Sequence, residues 1–312
     1  MISGDLRAGD PYVNMGLLFR RKYDLTNAIA LNGAFTPRSF DGQVSYYRSF
    51  GQKRTLNSRK WFYGPTLGVS RYRKVEDPGP EIPEETRFAA TVGSLSFTLF
   101  RDDRAYFYDP LHGTSISIIG GYSLGADASG NAVQVGRLHA NYIGVFSPAI
   151  RHAFAVSLGA MLLAGQPAAA QLQTLSVREI LKGFDVAETY GRIGFYAVVE
   201  YRHTILDASY VKAPLFTWLD RFQGVLFVAG GTMSEAQGYG GLFTRDRIFT
   251  EVGYGLRAHV LALGVQQQVF ALDFAVPITP LDRERPMEQA DGTIVKESRA
   301  PFKLVFGVMQ TF

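Results

Sequence analysis

Glu251-Val252-Gly253-Tyr254-Gly255-Leu256-Arg257-Ala258-His259-Val260 decides how this chain reads. Apolar side chains fall on Val252, Tyr254, Leu256, Ala258 and Val260, and the positions between carry Glu251, Gly253, Gly255, Arg257 and His259. That is the period of two expected of a strand with two unlike faces. Downstream, Phe270, Leu272, Phe274 and Val276 alternate with Val269, Ala271, Asp273 and Ala275. At the end, Phe302, Leu304, Phe306, Val308 and Phe312 alternate with Lys303, Val305, Gly307, Met309 and Thr311. Upstream, Ile29, Leu31, Gly33 and Phe35, and before them Val13, Met15, Leu17 and Phe19, keep the same beat.

Composition narrows the choice. The 312 residues hold 33 Gly, 16 Tyr, 23 Phe and no Cys, at a mean hydropathy of +0.00. A bundle of membrane helices would need several apolar runs of about 20 residues. The longest candidate, Ala153 to Gly165, is roughly 13 residues, too short to span as a helix. With 46% hydrophobic and 13% aromatic residues, disorder is excluded. The 32 basic and 28 acidic residues are dispersed, so no nucleic-acid patch is read. Without cysteine there are no disulfides, thiolate nucleophiles or Cys-ligated metals. Met1 to Arg7 has no apolar core of the signal-peptide kind.

Alternation alone fits a soluble sandwich as well as a membrane barrel. Segments of about 10 to 15 residues, glycine on the non-apolar face and aromatics near segment ends point to the barrel. Those aromatics are Tyr46-Tyr47, Trp61-Phe62-Tyr63 and Tyr106-Phe107-Tyr108. The expected fold is an all-β, transmembrane antiparallel β-barrel with about thirteen strands in this chain. The strands are expected near 11–20, 26–36, 42–50, 60–73, 85–101, 113–124, 133–147, 151–165, 190–205, 222–233, 246–261, 266–278 and 300–312. Segments 74–86, 166–189 and 279–299 read as long outer loops, and 21–25, 148–150 and 262–265 as short turns. The stretch 206–221, with Trp218, reads as a long connection on the short-turn side.

Leu181-Lys182-Gly183-Phe184, then Tyr190-Gly191 and the strand ending Val199-Glu200-Tyr201-Arg202, resembles a family signature. The family is the bacterial surface antigen superfamily of outer-membrane barrels, which includes BamA and TamA assembly proteins, two-partner secretion transporters and patatin-fused barrels. Leu226 to Thr232, Gly253 to Arg257 and Ala271 to Pro277 resemble its later strands, and Phe312 its closing aromatic. The resemblance covers about residues 180–312 and implies a loop tip, Leu181 to Phe184, folded into the barrel. It implies Glu200 and Arg202 as luminal partners, and Phe302, Leu304, Phe306, Val308 and Phe312 as a C-terminal signal. Lys182 stands where the family has Arg, and Ala229 where it has an acid, so a bidentate fork becomes a single ammonium. Lys182 is expected to reach Glu200, with Arg202 as competitor for that carboxylate.

Strand parity and the resemblance together imply one domain, 1–312, lacking about three upstream strands of a sixteen-stranded barrel and any periplasmic domain. Localisation is expected in the bacterial outer membrane with the C-terminus periplasmic. The partners expected are outer-membrane lipid, client outer-membrane or secreted polypeptides, and the barrel assembly machinery, with no nucleic acid. The expected role is assistance to protein insertion into, or polypeptide translocation across, that membrane. The alternative is a closed barrel acting as anchor or passive pore for an attached domain or partner complex.

No catalytic, cofactor or metal site is expected. Gly121-Tyr122-Ser123-Leu124-Gly125 fits G-x-S-x-G, but a turn-forming run follows where the nucleophile elbow needs a helix. Arg137, His139 and Asn141 share one strand face and read as polar wall residues. His112, His152, His203 and His259 have no ligand spacing.

Overall fold

The computed structural model describes residues 2–7, 10–20, 27–35, 39–50, 61–72, 88–103, 112–167, 171, 173–175, 180–184, 189–213, 217–234, 242–243, 247–262, 266–279, 284–288, 294–298 and 301–310. Its strands are β1 (Ile2–Arg7), β2 (Asp10–Arg20), β3 (Asn27–Phe35), β4 (Ser39–Phe50), β5 (Trp61–Tyr72), β6 (Ala90–Asp102), β7 (Gly113–Asp127), β8 (Ala132–Ala149) and β9 (His152–Gly165). They continue as β10 (Gln173–Thr174), β11 (Tyr190–Gly191), β12 (Ile193–Ala213), β13 (Thr217–Ser234), β14 (Ile248–Ala262), β15 (Gln266–Pro277), β16 (Glu284–Glu288), β17 (Ile294–Ser298) and β18 (Lys303–Gln310). Fourteen of them form one antiparallel sheet in the order β1 to β9, β12 to β15, then β18. β10 pairs with β11, and β16 with β17, as two-stranded ribbons outside it.

The sheet is open. β1 bonds to β2 and β18 to β15, and among the described residues β1 and β18 do not pair with each other. This corrects the expected transmembrane β-barrel, with about thirteen strands in this chain as part of a sixteen-stranded whole. The physical reason is the free edge: in hydrocarbon every unpaired N–H and C=O costs several kcal/mol, so a spanning sheet must close on itself. The outer-membrane localisation, the lipid, client and assembly-machinery partners, the insertion or translocation role and the alternative anchor or pore all rested on closure. They are set aside with it.

Each of the thirteen expected segments overlaps a strand; β1 is the additional strand of the large sheet, and β10, β16 and β17 lie in the expected loops 166–189 and 279–299. The expected long connection 206–221 is also corrected. β12 runs to Ala213 and β13 begins at Thr217, so Trp218 lies in a strand whose backbone pairs with Lys212 and Leu261. Two register shifts, between Thr204 and Leu206 and between Asp207 and Val211, accommodate this extension. The expected loop 74–86, the aromatics Tyr106 to Tyr108 and Phe312 lie outside the described residues.

The two faces of the sheet are inverted relative to a water-soluble sheet. In β5 and β6, Thr66, Ser70 and Ser96 are buried, whereas Leu67 and Leu95 are 62% and 57% exposed. The alternation extends to β14, with Glu251, Arg257 and His259 covered and Val252 and Tyr254 outward. The period of two therefore sorts residues as expected, but polar and glycine positions take the covered face.

Candidate functional site

The covered face of β12 to β15 and β18 receives the segment 180–184. Leu175, Leu181 and Phe184 are fully buried and cluster with Ile180, Tyr196, Val198, Ala229, Met233 and Phe249. Phe184 meets Phe249 edge-on, with ring centroids 5.4 Å apart. Each such side chain contributes about 1.5–3 kcal/mol of apolar burial. The Leu181 amide donates to the Leu175 carbonyl at 3.1 Å, and the Leu175 amide to Thr189 at 3.1 Å, so the segment closes on itself before it docks.

Polar contacts fix the tip. The Lys182 amide donates to one oxygen of Glu251 at 2.9 Å and the Gly183 amide to the other at 2.6 Å. Both oxygens of a buried carboxylate thereby accept from backbone donors. Burial pushes the Glu251 carboxyl above its ordinary value; the two amides and Lys182 pull the other way without cancelling it. Gly183 eases this approach: a Cβ there would lie 3.0 Å from the Glu251 carboxylate and 3.1 Å from the Pro277 ring, so both neighbours would have to shift slightly.

The Lys182 side chain runs to β15. Its ammonium lies 3.2 Å from one oxygen of Asp273, and Arg257 Nη1 holds the other oxygen at 2.6 Å. The same ammonium sits 4.1 Å from the centroid of Phe227, a cation–π contact. Lys303, the first residue of β18, donates through Nζ to the Phe184 carbonyl at 3.1 Å.

Glu200 and Arg202 stand apart from the tip. Arg202 Nη2 and Nε reach Glu200 Oε2 at 2.6 and 2.9 Å, so the neighbour two residues along captures the carboxylate. The expected Lys182–Glu200 contact is therefore replaced by Lys182–Asp273. Burial acts to raise the Glu200 carboxyl, but Arg202 and then Lys182 outweigh it and hold the group at about 2. Phe302, Leu304 and Phe306 lie on the exposed face, with Phe302 against Phe274 at 4.9 Å. The side chain of Val308 is not among those described.

Sequence reasoning missed Glu251 and Asp273 as anchors. Ala229 pairs directly with Glu251, so the acid absent from β13 is supplied by the neighbouring strand. Both acids occupy the non-apolar positions of their strands, which was the available signal.

Ser123 is buried inside the continuous strand β7, paired with Ser94 and Val135, so the strand-turn-helix of a nucleophile elbow does not occur there. Among the described residues, no group of three His, Asp or Glu could hold a metal ion.

No family model and no curated protein matches the sequence. Among solved structures, the chain is similar to the crystal structure of BamA from Haemophilus ducreyi lacking POTRA domains 1–3, with a TM-score of 0.55 and 13% sequence identity. The chain has a BamA-like fold. The match covers 96% of this chain and 68% of that one, and it agrees with the surface antigen resemblance of residues 180–312. At this identity the likeness is one of fold.

Proposed function

We propose that this chain is a strand-pairing scaffold, whose free edge at β18 takes an antiparallel strand from another polypeptide. The observation that carries this reading is the fourteen-strand order, which among the described residues ends at β18 with no further strand beyond it. β18, Lys-Leu-Val-Phe-Gly-Val-Met-Gln, has none of the devices that blunt an edge: no Pro, no register shift against β15 and only one charge. Its outward row, Leu304 and Phe306, offers apolar contacts to alternate side chains of an incoming strand, while backbone donors and acceptors supply affinity.

In this reading the loop tip is a latch that sets the edge. Lys182 ties 180–184 to β15, Glu251 ties it to β14, and the Phe184 carbonyl holds Lys303 of β18. Leu181 and Phe184 seat the latch, and Glu200 with Arg202 forms a separate pair that leaves Lys182 to Asp273. Phe302, Leu304 and Phe306 then act as the contact row of the edge rather than as a signal.

The test uses a fluorescent peptide with the β18 sequence and a second one N-methylated at alternate amides. Saturable binding of the first and loss with the second is expected, because only the first can complete a ladder. Equal binding of both, or none of the first, contradicts the proposal.

A further inference from the structure

The covered face of the N-terminal half has a polar basin with no part in strand pairing. It spans β3 to β8 and encloses about 310 Å³. Register builds it. Ser45 pairs with Thr66, Thr66 with Ser96, Ser96 with Gly121 and Gly121 with Arg137, a rung of three hydroxyls ending in a guanidinium. On the next rung, Thr98 pairs with Ile119 and Ile119 with His139. Gly121 keeps its rung open, since a Cβ there would lie 2.7 Å from that of Ser96.

Three observations give the basin a chemical preference. None of its ten lining residues carries a carboxylate, while two are basic. Arg137 Nε and His139 Nε2 are buried polar atoms that find no hydrogen-bond partner within the protein, a costly state. Lys182 and Arg257 are committed to Asp273, and Arg202 to Glu200. Asn141, one step along β8, is likewise engaged, accepting from Tyr196 at 3.1 Å.

We propose that this basin is a binding site for a phosphate-type oxyanion, held by Arg137 and His139 and flanked by the hydroxyls of Ser45, Thr66, Ser96 and Thr98. A planar guanidinium matches two oxygens of a tetrahedral anion, and the hydroxyls can donate to the remaining oxygens or to a polyol carried on the phosphate. Burial holds the His139 imidazole below its ordinary pKa in the empty basin, and a bound anion would pull it back up. A neutral polar ligand would leave the guanidinium charge unmatched, which favours an anion.

The test is isothermal titration of inorganic phosphate, and separately of glycerol 3-phosphate, into the full chain at low salt. One saturable site per chain is expected. Arg137→Gln should weaken it by about tenfold or more, and His139→Gln by severalfold. Arg48→Gln, on the exposed face, should leave affinity unchanged. Tighter binding of glycerol 3-phosphate assigns the hydroxyl rungs to a polyol ester; equal affinities assign them to the free anion. If Arg137→Gln fails to fold, Arg137→Lys keeps the charge without the fork and should give an intermediate loss. Absence of saturable binding for both probes, or unchanged affinity in a folded Arg137 variant, overturns the proposal.

Discussion

The Lys182 ammonium lies 3.2 Å from the Asp273 carboxylate, with the two side chains 4% and 1% exposed. So little water reaches the pair that its value depends on the rest of the cluster, and Arg257 shares the same acid. Asp273 therefore balances two cations, whereas Lys182 can be lost with Asp273 still paired.

That asymmetry gives the first prediction. Asp273→Ala leaves Lys182 and Arg257 facing each other and should destabilise the chain by about 3–5 kcal/mol. Lys182→Met, which keeps the stem against Phe227, should cost clearly less. Chemical denaturation of both variants checks the order. A Lys182→Met loss as large as that of Asp273→Ala would contradict the shared-acid geometry.

Glu251→Gln should loosen the tip without unfolding the sheet. One carboxylate oxygen becomes an NH2 that cannot accept from backbone, so one of the two amide contacts is lost, at about 1–3 kcal/mol. Hydrogen exchange should accelerate at the Lys182 and Gly183 amides and stay slow in β12 and β13. Unchanged protection at both amides would count against the latch.

Acid should weaken the chain through Glu200. Its folded-state carboxyl is held at about 2 against an ordinary 4.5, so the stability it contributes is present above pH 4.5 and is lost as pH falls toward 2. The shift corresponds to about 3 kcal/mol. Glu251 acts oppositely, because a raised carboxyl favours the folded state when protonated and loses that share as pH rises through its folded value. Glu200→Gln should flatten the acid limb of a plot of unfolding midpoint against pH. An acid limb as steep in Glu200→Gln as in the parent would assign it to other carboxylates.

The exposed face should tolerate polar replacement. Leu67 and Leu95 bury little, so Leu67→Ser and Leu95→Ser should each change stability by less than about 0.5 kcal/mol while lowering self-association seen by light scattering. Val135→Phe, on the covered face and inside a packed cluster, should destabilise by about 1–3 kcal/mol through overpacking. The opposite order would mean the faces are exchanged.

What the sequence made legible follows from what periodicity encodes. Val252 through Val260 and Phe302 through Phe306 sort onto the outward face because alternate side chains of a strand must point apart. Ile2–Arg7 escaped notice because Gly4 and Asp5 interrupt any apolar beat. Closure is invisible to periodicity, since it depends on whether two strands at opposite ends of the chain meet. The partner of Lys182 was missed for a related reason. Register between β13, β14 and β15 brings Glu251 beside Ala229 and Asp273 beside Gly255, while Arg202 claims Glu200 from two residues away.

The open edge is tested most directly by cysteine pairing, which the cysteine-free chain allows without background. One cysteine is placed at Val305 in β18 and a second, in separate variants, at Ser3, Gly4 or Asp5 in β1. A disulfide needs Cα atoms about 4.4–6.8 Å apart, so it forms within one chain only where the two edges meet. The open-sheet account predicts no intrachain disulfide in any of the three variants, and a mixed disulfide between Val305→Cys and a cysteine-bearing strand peptide. Efficient intrachain crosslinking between β1 and β18 would show a closed sheet and contradict it.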